Sequence, residues 1–348
     1  MRKIIQGIPF LSIAFFLGTL IYFNKITSSS ESGVLAYYAK LIFQPVESLG
    51  RWLLVMVAMG LIFYLVWAFL KLSLKRASPK VFISQTVGFM NGAKHFGRYA
   101  IPTIICLILL SFILPYMNQI NSVRLKDEVL MNIDLSLTRV HPFIYLASLI
   151  LPDWFVGAVV FLFQNFALML IAGAMYIFFK NKIIFQKFSV AFCLALIFIF
   201  PLWLKFPAMS PQDRFIDNVY NLPVASALSG EITAYNPHLY VKQFLADVRT
   251  GKEKSSLPYM PTSTMPSSHI IWAMILGYFL FRTNFVVGLI TLPLLMLSSF
   301  GTVFLAQHYF IDILAGIMVS GVTVAMISFL VKIKPVNQNT PIRKGHIA

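Results

Sequence analysis

A chain that runs apolar again and again for the length of a bilayer crossing has few folds open to it. The hydrocarbon layer is roughly 30 Å thick and takes about 20 residues of helix to cross, within a range of about 17–25. Eight segments meet or approach that requirement: 8–24, 52–71, 99–117, 154–179, 187–204, 267–281, 285–306 and 309–331. The sixth is short because Arg282 ends it, so it needs a snorkelling side chain or a locally thinned bilayer. In lipid each backbone polar group must be satisfied within its own segment, which makes helix the expected conformation. An all-α integral membrane protein with about eight transmembrane helices is expected. Only 11% of the residues are charged and 58% are hydrophobic, against about 25% charged in a soluble domain. That balance excludes a secreted disulfide scaffold, a disordered chain and a soluble nucleic-acid binder, although a net charge of +16 would otherwise suggest nucleic acid. Cys106 and Cys193 both lie inside apolar runs and form no disulfide framework.

The stretch His141–Pro152 is apolar but too short to cross, and is expected to lie at the interface or re-enter. The first span follows Met1-Arg2-Lys3 with no small-residue cleavage site behind it, and reads as a retained anchor. With the N-terminus inside, the cytoplasmic segments hold sixteen of the 28 Lys and Arg residues, and all 12 acidic residues fall on the other side. The positive-inside bias then puts both termini in the cytoplasm. Trp52, Trp67, Trp154, Trp203 and Trp272 fall near helix ends, where an aromatic belt belongs. Three parts emerge: 1–98 with two spans and a basic loop, 99–331 with the remaining spans, and a basic tail, 332–348. The external connection 205–266 is long and without a periodic run, a length more often functional than idle. The connections 25–51 and 118–153 suggest no role, and no internal repeat points to a transporter.

An ionisable residue at membrane depth is costly and is a functional hypothesis by default. Of six histidines, His95, His141, His238 and His346 fall in loops and basic segments, where a solvated side chain explains them. His269 opens the sixth span in Met265-Pro266-Ser267-Ser268-His269, and His308 stands at the joint of the last two spans. Both reach the external face. Asp312, four residues after His308, shares its helix face, and a carboxylate on one imidazole nitrogen raises the basicity of the other. That suits a nucleophile with its orienting partner, or equally an Asp–His pair that plugs a helix joint. Pro266, Ser267 and Ser268 make a capped helix start whose free N–H groups could cradle an anion. Lys205 and Arg214 add cations after the fifth span.

In this order the three segments resemble the type 2 phosphatidic acid phosphatase (PAP2) superfamily, whose signature is K-x6-R-P, then P-S-G-H, then S-R-x5-H-x3-D. The resemblance covers roughly residues 99–331 and implies a six-helix core, here preceded by two further helices. It implies His308 as nucleophile through a phosphohistidine, Asp312 as its support and His269 as acid for the leaving group. Ser267, Ser268, Arg214, Lys205 and Thr302 would bind phosphate. No cofactor and no metal is expected, and the substrate would be a lipid phosphate or phospholipid within the membrane.

The departures from that signature are informative. Ser268 replaces Gly, Gly301-Thr302 replaces S-R, and Gln212 stands where the first motif has Arg, with Arg214 two places late. One or two of three phosphate-binding cations are gone. A dianionic monoester would feel that loss more than a singly charged diester, since each charge-assisted contact is worth about 1.5–3 kcal/mol. Thr302 with the run His308-Tyr309-Phe310 and Asp312 is similar to the inositol phosphorylceramide synthase branch, which moves head groups between lipids. Head-group transfer is therefore favoured over lipid phosphate hydrolysis. A non-catalytic lipid-binding or transport protein is the alternative of another class. An inner cell membrane, with the site on the external or periplasmic face, is the expected location.

Overall fold

A computed structural model describes residues 2–27, 96–110, 113, 117, 125–218, 221–224, 226–254 and 265–330. The expected span 52–71, the tail 332–348, Trp52, Trp67, His95 and His346 lie outside them. Among the described residues the structure is all-helical. The helices are α1 (Arg2–Thr27), α2 (Phe96–Leu110), α3 (Asp127–Thr138), α4 (Pro142–Ala147), α5 (Asp153–Gln164), α6 (Phe166–Lys180) and α7 (Lys182–Lys205). After a π-helical turn at Gln212–Ile216 come α8 (Ser226–Thr233), α9 (Leu239–Lys254), α10 (Ser268–Thr283), α11 (Phe285–Phe304) and α12 (Phe310–Leu330).

Among the described residues, α7, α11 and α12 are long and apolar enough to cross a membrane. The run expected as one span at 154–179 is instead two helices, α5 and α6, bent by 65° at Asn165, and would be a fourth span if counted as one. The cause is local. Asn165 caps both helices there, its Nδ2 and its N–H both donating to the Phe161 carbonyl, at 2.8 and 3.0 Å. The apolar runs on both sides hide the Gln164-Asn165 pair from a hydropathy average. The expected sixth span is α10, only 16 residues long, with Arg282 exposed near its end.

The bundle is built around α10, which packs against α6, α7, α11 and α12. Its Ile270, Ile271, Ala273, Ile275, Leu276, Phe279 and Leu280 are all buried, as a helix apolar on every side requires. Gly316 of α12 permits a close approach: a Cβ there would stand 3.0 Å from Ile270 Cβ and 3.1 Å from the Ser267 carbonyl oxygen. Helix α1 joins the bundle on α7, where Phe15, Phe16 and Phe23 set their rings edge-on to Phe200.

Two connections are more ordered than their sequences suggest. The 205–266 connection contains the 16-residue α9, which packs on α5. Residues 127–147, for which the sequence suggests no role, fold into α3 and α4, and these pack on α12 and α11.

Candidate active site

The N-terminal ends of α10 and α12 and the C-terminal ends of α7 and α11 come together at one end of the bundle. Trp203 near the end of α7 donates its indole N–H to the Pro266 carbonyl at 3.0 Å. The Ser267 N–H donates to the Asp312 carbonyl at 3.1 Å. That bond ties the Pro266–His269 segment directly to the His308–Asp312 segment.

His308 is aimed by the way α11 ends. The Ala306 N–H bonds to the Val303 carbonyl and the Gln307 N–H to the Thr302 carbonyl, both at 2.9 Å, the paired closure of a Schellman motif. The residue that must turn left-handed is Ala306, with φ of 55°, where glycine is usual. That departure is why the sequence carries no helix-stop signal here. The His308 N–H also donates to the Thr302 carbonyl. The imidazole Nδ1 then lies 3.2 Å from Asp312 Oδ2, which leaves Nε2 as the outward nitrogen. Asp312 is fully buried, and the same Oδ2 accepts the Tyr309 N–H at 3.0 Å, the back-reaching half of a capping box.

Tyr309 has no short side-chain oxygen to supply the other half of that cap. Asp134 of α3 supplies it from across the chain: its two carboxylate oxygens accept the Phe310 and Ile311 N–H groups, each at 2.7 Å. Two turns earlier on the same helix, Asp127 Oδ1 accepts the Tyr309 hydroxyl at 2.9 Å and the Met209 N–H at 2.8 Å. Helix α3 thus clamps the His308 turn and the 207–209 turn with two acids seven residues apart. Burial pushes both carboxyls up to about 6, against the donors that pull them down.

The sign of the linkage follows from that direction. An unfolded aspartate releases its proton near about 3.9, whereas the folded pair holds it to about 6. Stability from these groups is therefore greatest below about pH 4 and declines as pH rises towards about 6. The melting temperature of the wild type, minus that of an Asp127→Asn/Asp134→Asn variant, is expected to fall across that window. A rise would mean that the donors outweigh burial.

His269 is the second residue of α10. Its ring stacks on Phe163 (centroids 5.1 Å apart, 6° between planes) and on Phe166 (3.8 Å, 24°), which flank the bend between α5 and α6. Its Nε2 lies 2.8 Å from the Ser298 hydroxyl, and that hydroxyl in turn meets the Leu162 carbonyl at 3.2 Å. Ser267, fully buried, is the N-cap of α10, accepting the Ile270 N–H at 3.5 Å. Ser268 is half-buried beside it.

The other residues expected at the phosphate are differently engaged. Thr302 is fully buried, with its hydroxyl donated to the Ser299 carbonyl at 2.7 Å. Lys205 is exposed, its Nζ 5.6 Å from the centre of the Phe206 ring. Arg214 is buried. One Nη donates to the Pro223 carbonyl at 3.0 Å and faces Glu128 at 3.4 Å, while the other has no hydrogen-bond partner among the described residues. Gln212, standing at the missing arginine of the first motif, accepts from Gln307 Nε2 at 2.7 Å, so a neutral amide takes that place beside the His308 turn. Among the described residues no group of three His, Cys, Asp or Glu side chains could hold a metal ion.

Ser298, Asp127, Asp134 and the Phe163–Phe166 pair are absent from the residues that the sequence singles out. The seven-residue interval between the two aspartates was the one available signal, since it sets both on one helix face. Compared with known proteins, residues 154–326 match the family model of the PAP2 superfamily. No curated protein and no solved structure matches the chain.

Proposed function

We propose that the chain is an integral membrane phosphotransferase of the PAP2 superfamily that acts on a lipid phosphate through a phosphohistidine on His308. The observation that carries this reading is the hydrogen bond between Ser267 and Asp312, which gathers both histidines and the aspartate at one end of the bundle. The family match spans the same segments. His308 Nε2 attacks phosphorus as the bond to the leaving oxygen breaks, and His269 gives that oxygen a proton. An acceptor hydroxyl then attacks the phosphohistidine, its proton passes to His269, and the phosphorus–nitrogen bond breaks. Asp312 stabilises the imidazolium form of His308 and holds its Nδ1 proton. The N–H groups at the start of α10, capped by Ser267, are the anion cradle.

The acceptor is a second lipid, and the reaction is head-group transfer of the kind that the inositol phosphorylceramide synthase branch performs. Charge supports this. Gln212 and Thr302 are neutral where the family signature has arginines, and the Arg214 guanidinium faces Glu128. A phosphodiester, with one negative charge, suits that site better than a monoester with two. The reading keeps a six-helix core behind two N-terminal helices, both termini in the cytoplasm and the site on the external face of the cell membrane. The Arg214 nitrogen left unpartnered favours one competing reading, hydrolysis of phosphatidic acid or a prenyl diphosphate, with water as acceptor.

Labelled phosphodiester and phosphomonoester lipids, given to the protein in vesicles, separate the two. Head-group exchange from the diester with slow phosphate release from the monoester is expected. Rapid release from the monoester without exchange would overturn transfer in favour of hydrolysis. No turnover of either would leave a lipid-binding protein.

A further inference from the structure

Ser298 has no part in the scheme above, yet it is fully buried and touches the ring that handles the leaving-group proton. We infer that Ser298 is a positioning residue which, by holding Nε2 of His269, makes Nδ1 the nitrogen that serves the substrate. The inference rests on the acid–base role of His269 proposed above. A serine hydroxyl has one hydrogen to donate and lone pairs to accept with. Ser298 has two partners, His269 Nε2 and the Leu162 carbonyl. Leu162 lies in the last turn of α5, just before the chain bends at Asn165. A carbonyl can only accept, so the serine hydrogen goes to Leu162. The serine oxygen is left to accept from His269, whose Nε2 must then carry hydrogen. The neutral ring is the Nε2–H tautomer with its lone pair on Nδ1.

The proton inventory follows. In the imidazolium form both nitrogens carry hydrogen. As the bond from His308 Nε2 to phosphorus forms and the phosphorus–oxygen bond breaks, the Nδ1 proton moves to the departing oxygen and its electron pair stays on Nδ1. In the second half, the acceptor hydroxyl gives its proton to Nδ1 as its oxygen bonds phosphorus. The Nε2 proton does not move in either half. Its hydrogen-bond chain ends in a backbone carbonyl with no proton to pass on, so Ser298 anchors the ring and relays nothing. Stacking alone would not select the nitrogen. Phe163 and Phe166 hold the plane of the ring, but a ring turned over about Cβ–Cγ stacks equally well and presents carbon in place of nitrogen. The bend between α5 and α6 thereby becomes a part of the site, supplying both aromatic faces and the carbonyl that orients Ser298.

The test uses the full chain in lipid nanodiscs, with histidine 15N chemical shifts assigned by the signals lost in His269→Ala, and with steady-state kinetics. The wild type is expected to show neutral His269 with its hydrogen on Nε2. Ser298→Ala is expected to lose about 10²-fold in kcat, the scale of a misplaced catalytic group, with KM little changed and the acidic limb of the pH profile displaced. Ser298→Thr, which keeps the hydroxyl, recovers most of the rate. Hydrogen on Nδ1 in the wild type, or a Ser298→Ala enzyme with the wild-type kcat and pH profile, would overturn the inference. His269→Ala separates the two readings: if it retains full activity, the acid–base role falls, and with it this inference. If it is inactive while Ser298→Ala matches the wild type, only the positioning role falls. Should Ser298→Ala fail to fold, the wild-type 15N measurement decides.

Discussion

His308→Ala is expected to lose at least 10⁴-fold in turnover, on the order of what removing a covalent nucleophile costs, while the protein still inserts and folds. His308 is half-buried at the joint between two helices, and its backbone N–H bond to Thr302 survives truncation of the side chain. The change therefore removes chemistry more than structure. Incubation with a 32P-labelled donor followed by a rapid quench should leave acid-labile, base-stable label on the wild type and none on His308→Ala. Asp312→Asn should still take label, slowly, because Nδ1 keeps a polar neighbour but not a charged one. Label that persists on His308→Ala, or unchanged turnover, would remove the nucleophile assignment. The Asp312 variant guards against a trivial outcome. If His308 were only a plug between helices, the wild type would take no label on it, and Asp312→Asn would unsettle the fold with no labelling to slow.

Much of the scaffold is legible in the sequence because lipid leaves so few choices. A run of twenty apolar residues has to satisfy its own backbone, and α7, α11 and α12 lie within a few residues of where hydropathy sets them. His269, His308 and Asp312 stand out for a related reason: ionisable groups are scarce at that depth, and their spacing is short-range. What stays hidden depends on contacts between distant residues or on one atypical residue. Asn165 breaks a span that any window average joins. Ala306 takes the left-handed position that glycine would have advertised. The hydroxyl of Thr302, a natural phosphate donor on paper, is spent on its own helix. Arg214 looks like a substrate cation until Glu128, 86 residues away, appears beside it. Ser298 reads as a small residue in an apolar helix, and only the folded bundle brings it against His269.

Asp134→Ala should cost activity at the site, although Asp134 touches neither histidine. Its carboxylate receives the N–H groups of Phe310 and Ile311, the two residues between the His308–Tyr309 pair and Asp312. Truncation leaves both donors without their acceptor at the positive end of α12, where each charge-assisted bond contributes about 1.5–3 kcal/mol. The first turn of α12 then loosens, and Asp312 loses its fixed place under His308 Nδ1. A displacement of about 1 Å at a reacting group costs roughly 10²-fold, so a kcat loss of that order is expected with little change in KM. Asp134→Asn keeps one oxygen acceptor and should fall between the two. A distant helix that merely stabilised the bundle would lower the melting temperature and the yield of active protein, but each folded molecule would turn over at the wild-type rate. Kinetics normalised to the fraction that accepts 32P label distinguish the cases. A normalised kcat equal to the wild type would mean that α3 braces the bundle without setting the geometry of His308.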